Sequence, residues 1–273
     1  MIVCEEYGFC FLHIPKCGGS TVREQIASLD TFGGKFGGFH GITHAISDGP
    51  QQKAHLPIRE IARHFPEVYE RIVPLEKFAI VRDPHQRFLS AFSQRAREVH
   101  GRFVGEMSSR AIREDFALIR SHLGKRPDLP SFPFRHFVRQ VAFTHHEGKP
   151  FIDHILPLER IGELIDHLSI RTGRPLVRKF HSNKTITFRH PSMKSSLVLL
   201  KDLIKPYAPL PIYNRLKEAG LRLFTEQGFP RAVLDVLDRA DFRDFVDTHY
   251  AEDFEVRALA QTHNTLKVPS DAH

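Results

Sequence analysis

A short segment near the start of the chain carries residues that are suited to holding phosphate. A mainly apolar run at 11–14 is followed by Lys16, by the pair Gly18 and Gly19, and by Ser20-Thr21. Glycines let a backbone approach an anion closely, serine and threonine are favoured caps, and the N–H groups at a helix start attract phosphate. The segment therefore predicts a phosphate cradle between a strand and a helix, with Lys16 adding a positive charge.

The order of these residues differs from that of the common ATP-binding loop. In that loop the lysine follows the last glycine, and a hydroxyl residue that binds magnesium comes next. Here Lys16 precedes both Gly18 and Gly19. The order argues against an ordinary ATPase or kinase, and a P-loop nucleotide kinase is kept as the rival enzyme hypothesis.

A second segment, residues 77–92, repeats the plan of an apolar strand, a charged turn and a helix. The turn is Arg82-Asp83-Pro84, and Arg87 and Ser90 follow it. A guanidinium group can donate two parallel hydrogen bonds to phosphate oxygens. Arg82 is therefore the favoured phosphate ligand, whereas Asp83 and Arg87 are interpreted as structural, with the turn held by an ion pair of its own.

Taken together, the two segments resemble the 5′-phosphosulfate loop and the 3′-phosphate site of sulfotransferases that use 3′-phosphoadenosine-5′-phosphosulfate (PAPS). The resemblance is to the family 2 type, which includes heparan sulfate 2-O-sulfotransferases and bacterial carbohydrate sulfotransferases, and it extends from about residue 8 to about residue 257. It implies an α/β fold of the P-loop type, with a central parallel sheet flanked by helices and extra helices toward the carboxyl terminus. Residues 1–273 would form one domain, in which 191–230 are a helical insertion without a family counterpart.

The resemblance also implies roles for individual residues. The 3′-phosphate is assigned to Arg82 and Ser90. In such a reaction the sulfuryl group moves in line to a hydroxyl acceptor, and no metal is required. Lys16 is the candidate that would neutralise charge on the leaving phosphate, because its flexible ammonium lies next to the predicted cradle. The favoured acceptor is a carbohydrate, anionic glycans included, and a smaller hydroxyl compound stays open. The residues expected to hold the 5′-phosphosulfate are Lys16, Cys17, Gly18, Gly19, Ser20 and Thr21.

A general base must take the proton of the acceptor hydroxyl. His55 lies in a segment, 53–61, that resembles the family segment in which a histidine just before the second helix is the base. An imidazole has a reference pKa of ~6.5, which suits this role. The chain holds 18 histidines, so a single histidine is weak evidence by itself. Glu24 stays as a rival because other sulfotransferase branches use a glutamate, and His40 and His44 of the glycine-rich stretch stay as rivals too. The alternative that is not an enzyme is a protein that binds a nucleotide or an anionic glycan without catalysing a reaction.

The composition agrees with this interpretation but does not by itself show it. The chain has 273 residues, of which 41% are hydrophobic, and this is enough for a sizeable core. A net charge of +7 is compatible with a polyanionic partner, but blocks of like charge are absent, so nucleic-acid binding has little support. The sequence predicts no membrane span and no signal peptide. We therefore expect a cytoplasmic bacterial enzyme or a soluble catalytic domain.

The three cysteines, Cys4, Cys10 and Cys17, all lie in the first 17 residues and form neither a disulfide pattern nor a zinc pattern. A reducing compartment is expected. Cys17 is next to Lys16 at a predicted helix start, where the pKa of a thiol tends to fall. Two interpretations of Cys17 stay open: a reactive thiol or, as favoured, a small residue that fills the loop.

Strands and helices must position these residues, and hydrophobic periodicity indicates where they are. The glycine-rich stretch 32–41 is interpreted as a mobile loop near the site or as a flexible connection. The predicted strands are 8–14, 78–81 and 151–156. The predicted helices are 21–29, one that opens at 57, one that begins near 87, 158–172 with Gly173 as its stop, 193–204, 214–227 and 245–254.

Overall fold

The computed structural model describes residues 1–37, 41–43, 51–128, 131–177, 186–188, 225–227, 234, 239–262 and 266. Within these residues the strands are β1 (Ile2–Cys4), β2 (Phe9–Leu12), β3 (Ile42–Thr43), β4 (Gln51–Gln52), β5 (Glu76–Val81), β6 (His145–His146), β7 (Lys149–Pro150), β8 (His154–Pro157), β9 (Ile186–Phe188) and β10 (Thr225–Gln227). The helices are α1 (Gly19–Ile26), α2 (Ile58–His64), α3 (Pro66–Ile72), α4 (Pro84–His100), α5 (Ser109–Lys125), α6 (Val141–Thr144), α7 (Ile161–Thr172), α8 (Ala240–His249) and α9 (Ala251–Thr262).

Four strands form the central sheet, in the order β1-β2-β5-β8. β5 lies between β2 and β8 and runs parallel to both, as the sequence predicts. The edge strand β1 runs antiparallel to β2, which the prediction of a parallel sheet did not include. The chain reverses direction in a short turn before β2 that ends at Gly8, whose φ of 66° lies in the left-handed region that glycine tolerates. The protein is thus a mixed α/β structure.

The middle of the sheet is buried, and this burial explains why its strands read as apolar runs. All residues of β2 are buried, and in β5 so are the residues from Lys77 to Val81. Phe78 of β5 is opposite Phe11 of β2. Strands covered on both faces are typical of parallel sheets with flanking helices. Because β2 and β5 are parallel neighbours, the turns that follow them emerge at the same edge of the sheet.

The predicted elements are mostly present, with bounds displaced by a few residues. α7 ends as predicted at Gly173, which has a φ of 64°. The predicted closing helix at 245–254 is wrong in one respect, since the chain forms two helices there, α8 and α9, which are separated at Tyr250. Tyr250 is buried, and its hydroxyl donates a hydrogen bond to the carbonyl oxygen of Phe137 at 2.8 Å.

The chain forms two compact units. The first comprises residues 1–91, 118–181 and 244–273 and includes the central sheet, and the second comprises 92–117 and 182–243. In the second unit β9 pairs antiparallel with β10. The predicted helix at 214–227 is therefore wrong at 225–227, which form β10, while 193–204 and 214–224 lie outside the described residues. The assignment of one domain to the whole chain stays a prediction.

Candidate functional site

The turn between β2 and α1 has an unusual backbone that depends on its glycines. Lys16 and Gly18 have φ angles of 66° and 77°. A Cβ atom added at Gly18 would overlap the side chain of Leu158, and one added at Gly19 would overlap the ring of His13. The sequence interpretation gave these glycines the role of admitting an anion. The structure gives them a packing role inside the protein, because both face other side chains closely.

The start of α1 has no side-chain cap. Gly18 is the residue before the helix, so Ser20 and Thr21 are already its second and third residues. The N–H of Thr21 donates to the carbonyl oxygen of Gly18 at 3.0 Å. The expectation that Ser20 or Thr21 caps the helix is therefore wrong. The N–H groups of the first helical residues, which intrahelical bonds do not use, are left without a capping side chain beside the half-buried Lys16.

Cys17 points into the protein. Its side chain is fully buried, and its Sγ donates to Oε1 of Gln140 at 3.2 Å. Burial raises the pKa of the thiol to about 12, which outweighs the neighbouring positive charges of Arg87 and Arg82. The interpretation as a reactive thiol is therefore wrong, and Cys17 is a small residue that fills the loop. A contact of Cys17 with a ligand would have to involve its main chain.

The second turn, between β5 and α4, presents Arg82 to the first one. Nη1 of Arg82 donates to the carbonyl oxygen of Lys16 at 3.5 Å. Its Nε is buried and has no hydrogen-bond partner among the residues that the structure describes. Burial lowers the pKa of this guanidinium from its ordinary value of 12.5. Arg82 is thus a half-buried cation with a buried, unused donor, and an anion would stabilise such a group.

Arg87 and Asp83 have structural contacts, as the sequence predicts, but not with each other. Arg87 is 1% exposed and donates to the carbonyl oxygens of His136 and Val138 at 3.2 and 2.7 Å. The carboxylate of Asp83 accepts from the N–H of Gln86 at 3.0 Å and from Nη1 of Arg257 at 3.4 Å. The expected ion pair within the turn is therefore wrong, because the cation comes from α9. Ser90 is half-buried in the second turn of α4.

His55 belongs to a row of three buried histidines. It ends a short 3-10 turn that follows β4, and its ring centroid is 5.4 Å from that of His13 and 5.2 Å from that of His136. His13 directly follows β2 and packs against Gly19, so the row begins at the turn between β2 and α1. The rings meet edge to face in both pairs.

The three imidazoles are held in their neutral form. Burial lowers the pKa of each well below the ordinary 6.5. For His55, the positive charges of Arg135, the amino terminus, Arg23 and Lys16 act in the same direction. A neutral imidazole at physiological pH can accept a proton, which is what a general base requires.

The other candidates for the base are placed differently. Glu24 is exposed on α1. His40 and His44 lie outside the described residues.

Sequence patterns did not identify His13, His136 or Gln140 as site residues. The position of His13 directly after a predicted strand could have indicated it, whereas nothing in the local sequence marks His136 or Gln140.

In the described part of the chain, no group of three or more His, Cys, Asp or Glu side chains is arranged to hold a metal ion. Among the described helices, none combines the length and the apolar character that crossing a bilayer requires.

The candidate site thus consists of two turns that follow adjacent parallel strands and of a row of neutral histidines that reaches one of them. In α/β proteins, ligands commonly bind at this edge of the sheet. A family comparison specifies the class further, since the model of the sulfotransferase family matches residues 1–170. The chain belongs to this family, of the family 2 type that the sequence motifs indicate. The comparison with curated proteins found no match, and that with solved structures found none.

Proposed function

We propose that the protein transfers a sulfuryl group from PAPS to a hydroxyl acceptor, and that the acceptor is a carbohydrate. Membership of the sulfotransferase family gives the reaction type. The choice of PAPS as donor rests on one observation: the two turns are in contact, since Nη1 of Arg82 donates to the carbonyl oxygen of Lys16 at 3.5 Å. A donor with phosphates on both sides of a ribose needs two anion sites side by side, as in a fold of the P-loop type.

The residues of the first turn would hold the sulfated end of the donor. The N–H groups of Gly18, Gly19 and Ser20 would form the cradle. Cys17 and Thr21, whose own N–H groups donate to the carbonyl oxygens of Ile14 and Gly18, would complete the turn around it. The left-handed backbone at Lys16 belongs to the same turn, and its ammonium is a flexible point charge. In this proposal Lys16 follows the negative charge that develops on the leaving oxygen and stabilises it more in the transition state than in the ground state.

The residues of the second turn would hold the 3′-phosphate. The guanidinium of Arg82 has a buried Nε without a partner among the described residues, so a phosphate oxygen would satisfy it. Ser90, half-buried on α4, would donate one further hydrogen bond.

His55 would act as the base. Its neutral imidazole takes the proton from the acceptor hydroxyl while the acceptor oxygen forms its bond to sulfur and the bond from sulfur to the phosphate oxygen breaks. The electron pair of the broken bond leaves with the phosphate, where Lys16 offsets the charge. The burial of His55 between His13 and His136 supports this role over Glu24, which is exposed to solvent.

Calorimetry with the adenosine bisphosphate product (PAP), ADP and ATP tests the donor assignment. We expect PAP to bind more tightly than ADP without magnesium, and Arg82→Ala to remove about 2–3 kcal/mol of PAP binding because a charge-assisted contact is lost. Arg120→Ala, at an exposed position of α5, is the matched control and should bind PAP like the parent. Equal affinities for PAP and ADP in the parent would contradict the proposal, and tighter magnesium-dependent ATP binding would favour a nucleotide kinase.

Turnover separates an enzyme from a protein that only binds. Incubation with PAPS and a panel of carbohydrate and small hydroxyl acceptors should release PAP only with an accepted hydroxyl compound. Tight PAP binding without turnover on any acceptor would favour the binding protein instead.

A further inference from the structure

One buried amide contacts both turns of the candidate site. Gln140 is 0% exposed. Its Oε1 accepts from the Sγ of Cys17 at 3.2 Å and from the backbone N–H of Arg82 at 2.8 Å. Its Nε2 donates to the backbone carbonyl of Arg82 at 2.9 Å. The side chain of Gln140 is therefore hydrogen-bonded to both main-chain groups of Arg82 in the second turn and to the side chain of Cys17 in the first turn.

The position of this amide is itself fixed by a buried carboxylate. Asp253 of α9 is 0% exposed, and its two oxygens accept from the backbone N–H groups of Gln140 at 2.8 Å and Val141 at 2.9 Å. Nη2 of Arg87 lies 3.7 Å from the same carboxylate. Because the amide atoms of Gln140 and both carboxylate oxygens of Asp253 are buried and hydrogen-bonded, the arrangement resists displacement.

We infer that Gln140 is a positioning residue that sets the separation of the two turns and thereby gives the protein its preference for a ligand with both a 5′- and a 3′-phosphate. The inference rests on the proposed function. A ligand that touches both turns binds best when their spacing is set before binding, whereas a ligand that touches one turn gains nothing from that spacing. Loss of the amide should therefore weaken bisphosphate binding selectively.

Gln140→Met tests the inference, because methionine keeps the length of the side chain and removes its polar atoms. We expect the affinity for PAP to fall about tenfold, the effect of losing one or two net hydrogen bonds. The affinities for adenosine 5′-monophosphate and adenosine 3′-monophosphate should change less than about twofold. In turnover, the KM for PAPS should rise while kcat stays within about threefold of the parent.

Tyr250→Phe is the matched control. It removes a buried hydrogen bond to Phe137, three residues from Gln140, without touching either turn. It should lower the melting temperature and leave the ratio of PAP to monophosphate affinity unchanged. Cys17→Ala, which breaks only one contact of Gln140, should shift that ratio in the same direction as Gln140→Met by a smaller factor.

The outcomes separate the two claims. If Gln140→Met weakens all three nucleotides equally, the residue is only structural and the inference is overturned. If that variant does not fold, Cys17→Ala decides, and an unchanged ratio overturns the inference. If the parent itself does not prefer PAP to either monophosphate, the proposed donor is wrong and the inference falls with it.

Discussion

At the scale of single residues, the neighbours of a side chain decide what its chemistry can be. Cys17 and His55 were both candidates for unusual reactivity. The thiol is buried, and its pKa is raised to about 12, so it stays protonated. The imidazole is buried among cations, and its pKa is lowered, so it stays neutral. Burial acts on both groups, and each is left in the uncharged form that burial favours.

The lowered pKa of His55 predicts an unusual pH dependence. A base acts when it is deprotonated, so the rate should rise with pH only up to the pKa of His55. Since burial, Arg135, the amino terminus, Arg23 and Lys16 place this pKa well below 6.5, kcat should be constant from about pH 6.5 upward and should fall only in more acidic buffer. A kcat profile measured at saturating PAPS checks this expectation.

Two variants control the pH experiment. His55→Ala should lose about 10²-fold to 10⁴-fold in kcat while it still binds PAP. Arg135→Gln removes the largest charge that acts on His55, so the acidic limb should move to higher pH. A parent profile with its midpoint at 6.5 would contradict the placement of the base in this buried row.

At the scale of elements, the turn between β2 and α1 depends on close packing. Gly19 is a helical residue, and alanine is normally better than glycine there by up to about 1 kcal/mol. Here a Cβ would overlap the ring of His13, which contacts His55. The local preference and the tertiary packing therefore oppose each other at Gly19.

Gly19→Ala should consequently destabilise the protein by about 1–3 kcal/mol, the usual cost of an overpacked site, and should lower kcat by displacing His13. Gly124→Ala is the matched control, since Gly124 lies in α5 with nothing within 4 Å of the added Cβ. That variant should be neutral or slightly more stable. Urea unfolding of both variants gives the comparison, and a Gly19→Ala protein as stable as the parent would refute the packing role.

At the scale of the whole molecule, three distant segments bring His13, His55 and His136 into one buried row. Each has a folded pKa below its unfolded value, so each contributes stability that is present above about pH 6.5 and is lost as the pH falls. The unfolded chain binds these protons and the folded one does not. We therefore expect the fold itself to be sensitive to mild acid.

The free energy of unfolding should fall by about 1.4 kcal/mol per pH unit for each of the three groups below pH 6.5. Urea unfolding at pH 7.0, 6.0 and 5.5 measures this slope. His136→Phe should remove about a third of it, whereas Arg120→Ala, at an exposed position of α5, should not change it. A stability that stays constant between pH 7 and pH 5.5 would contradict the neutral state of the row.

The sequence by itself determined the local parts of this protein. Three local features each predicted a strand, turn or helix that is present at or near the expected bounds. They are the order of Lys16, Gly18 and Gly19, the turn at Arg82, and the helix stop at Gly173. These features depend on backbone preferences and on hydrophobic periodicity within about ten residues, and such preferences are encoded in consecutive residues.

Only the tertiary structure decided which side chains meet. The contact between Cys17 and Gln140 joins residues 123 positions apart, and that between Gln140 and Asp253 joins residues 113 apart. The same holds for three other features, which also depend on how segments pack together: the packing role of Gly19, the antiparallel edge strand β1 and the histidine row. No periodicity marks such contacts, because burial changes the energy of a polar group only after distant segments have packed around it.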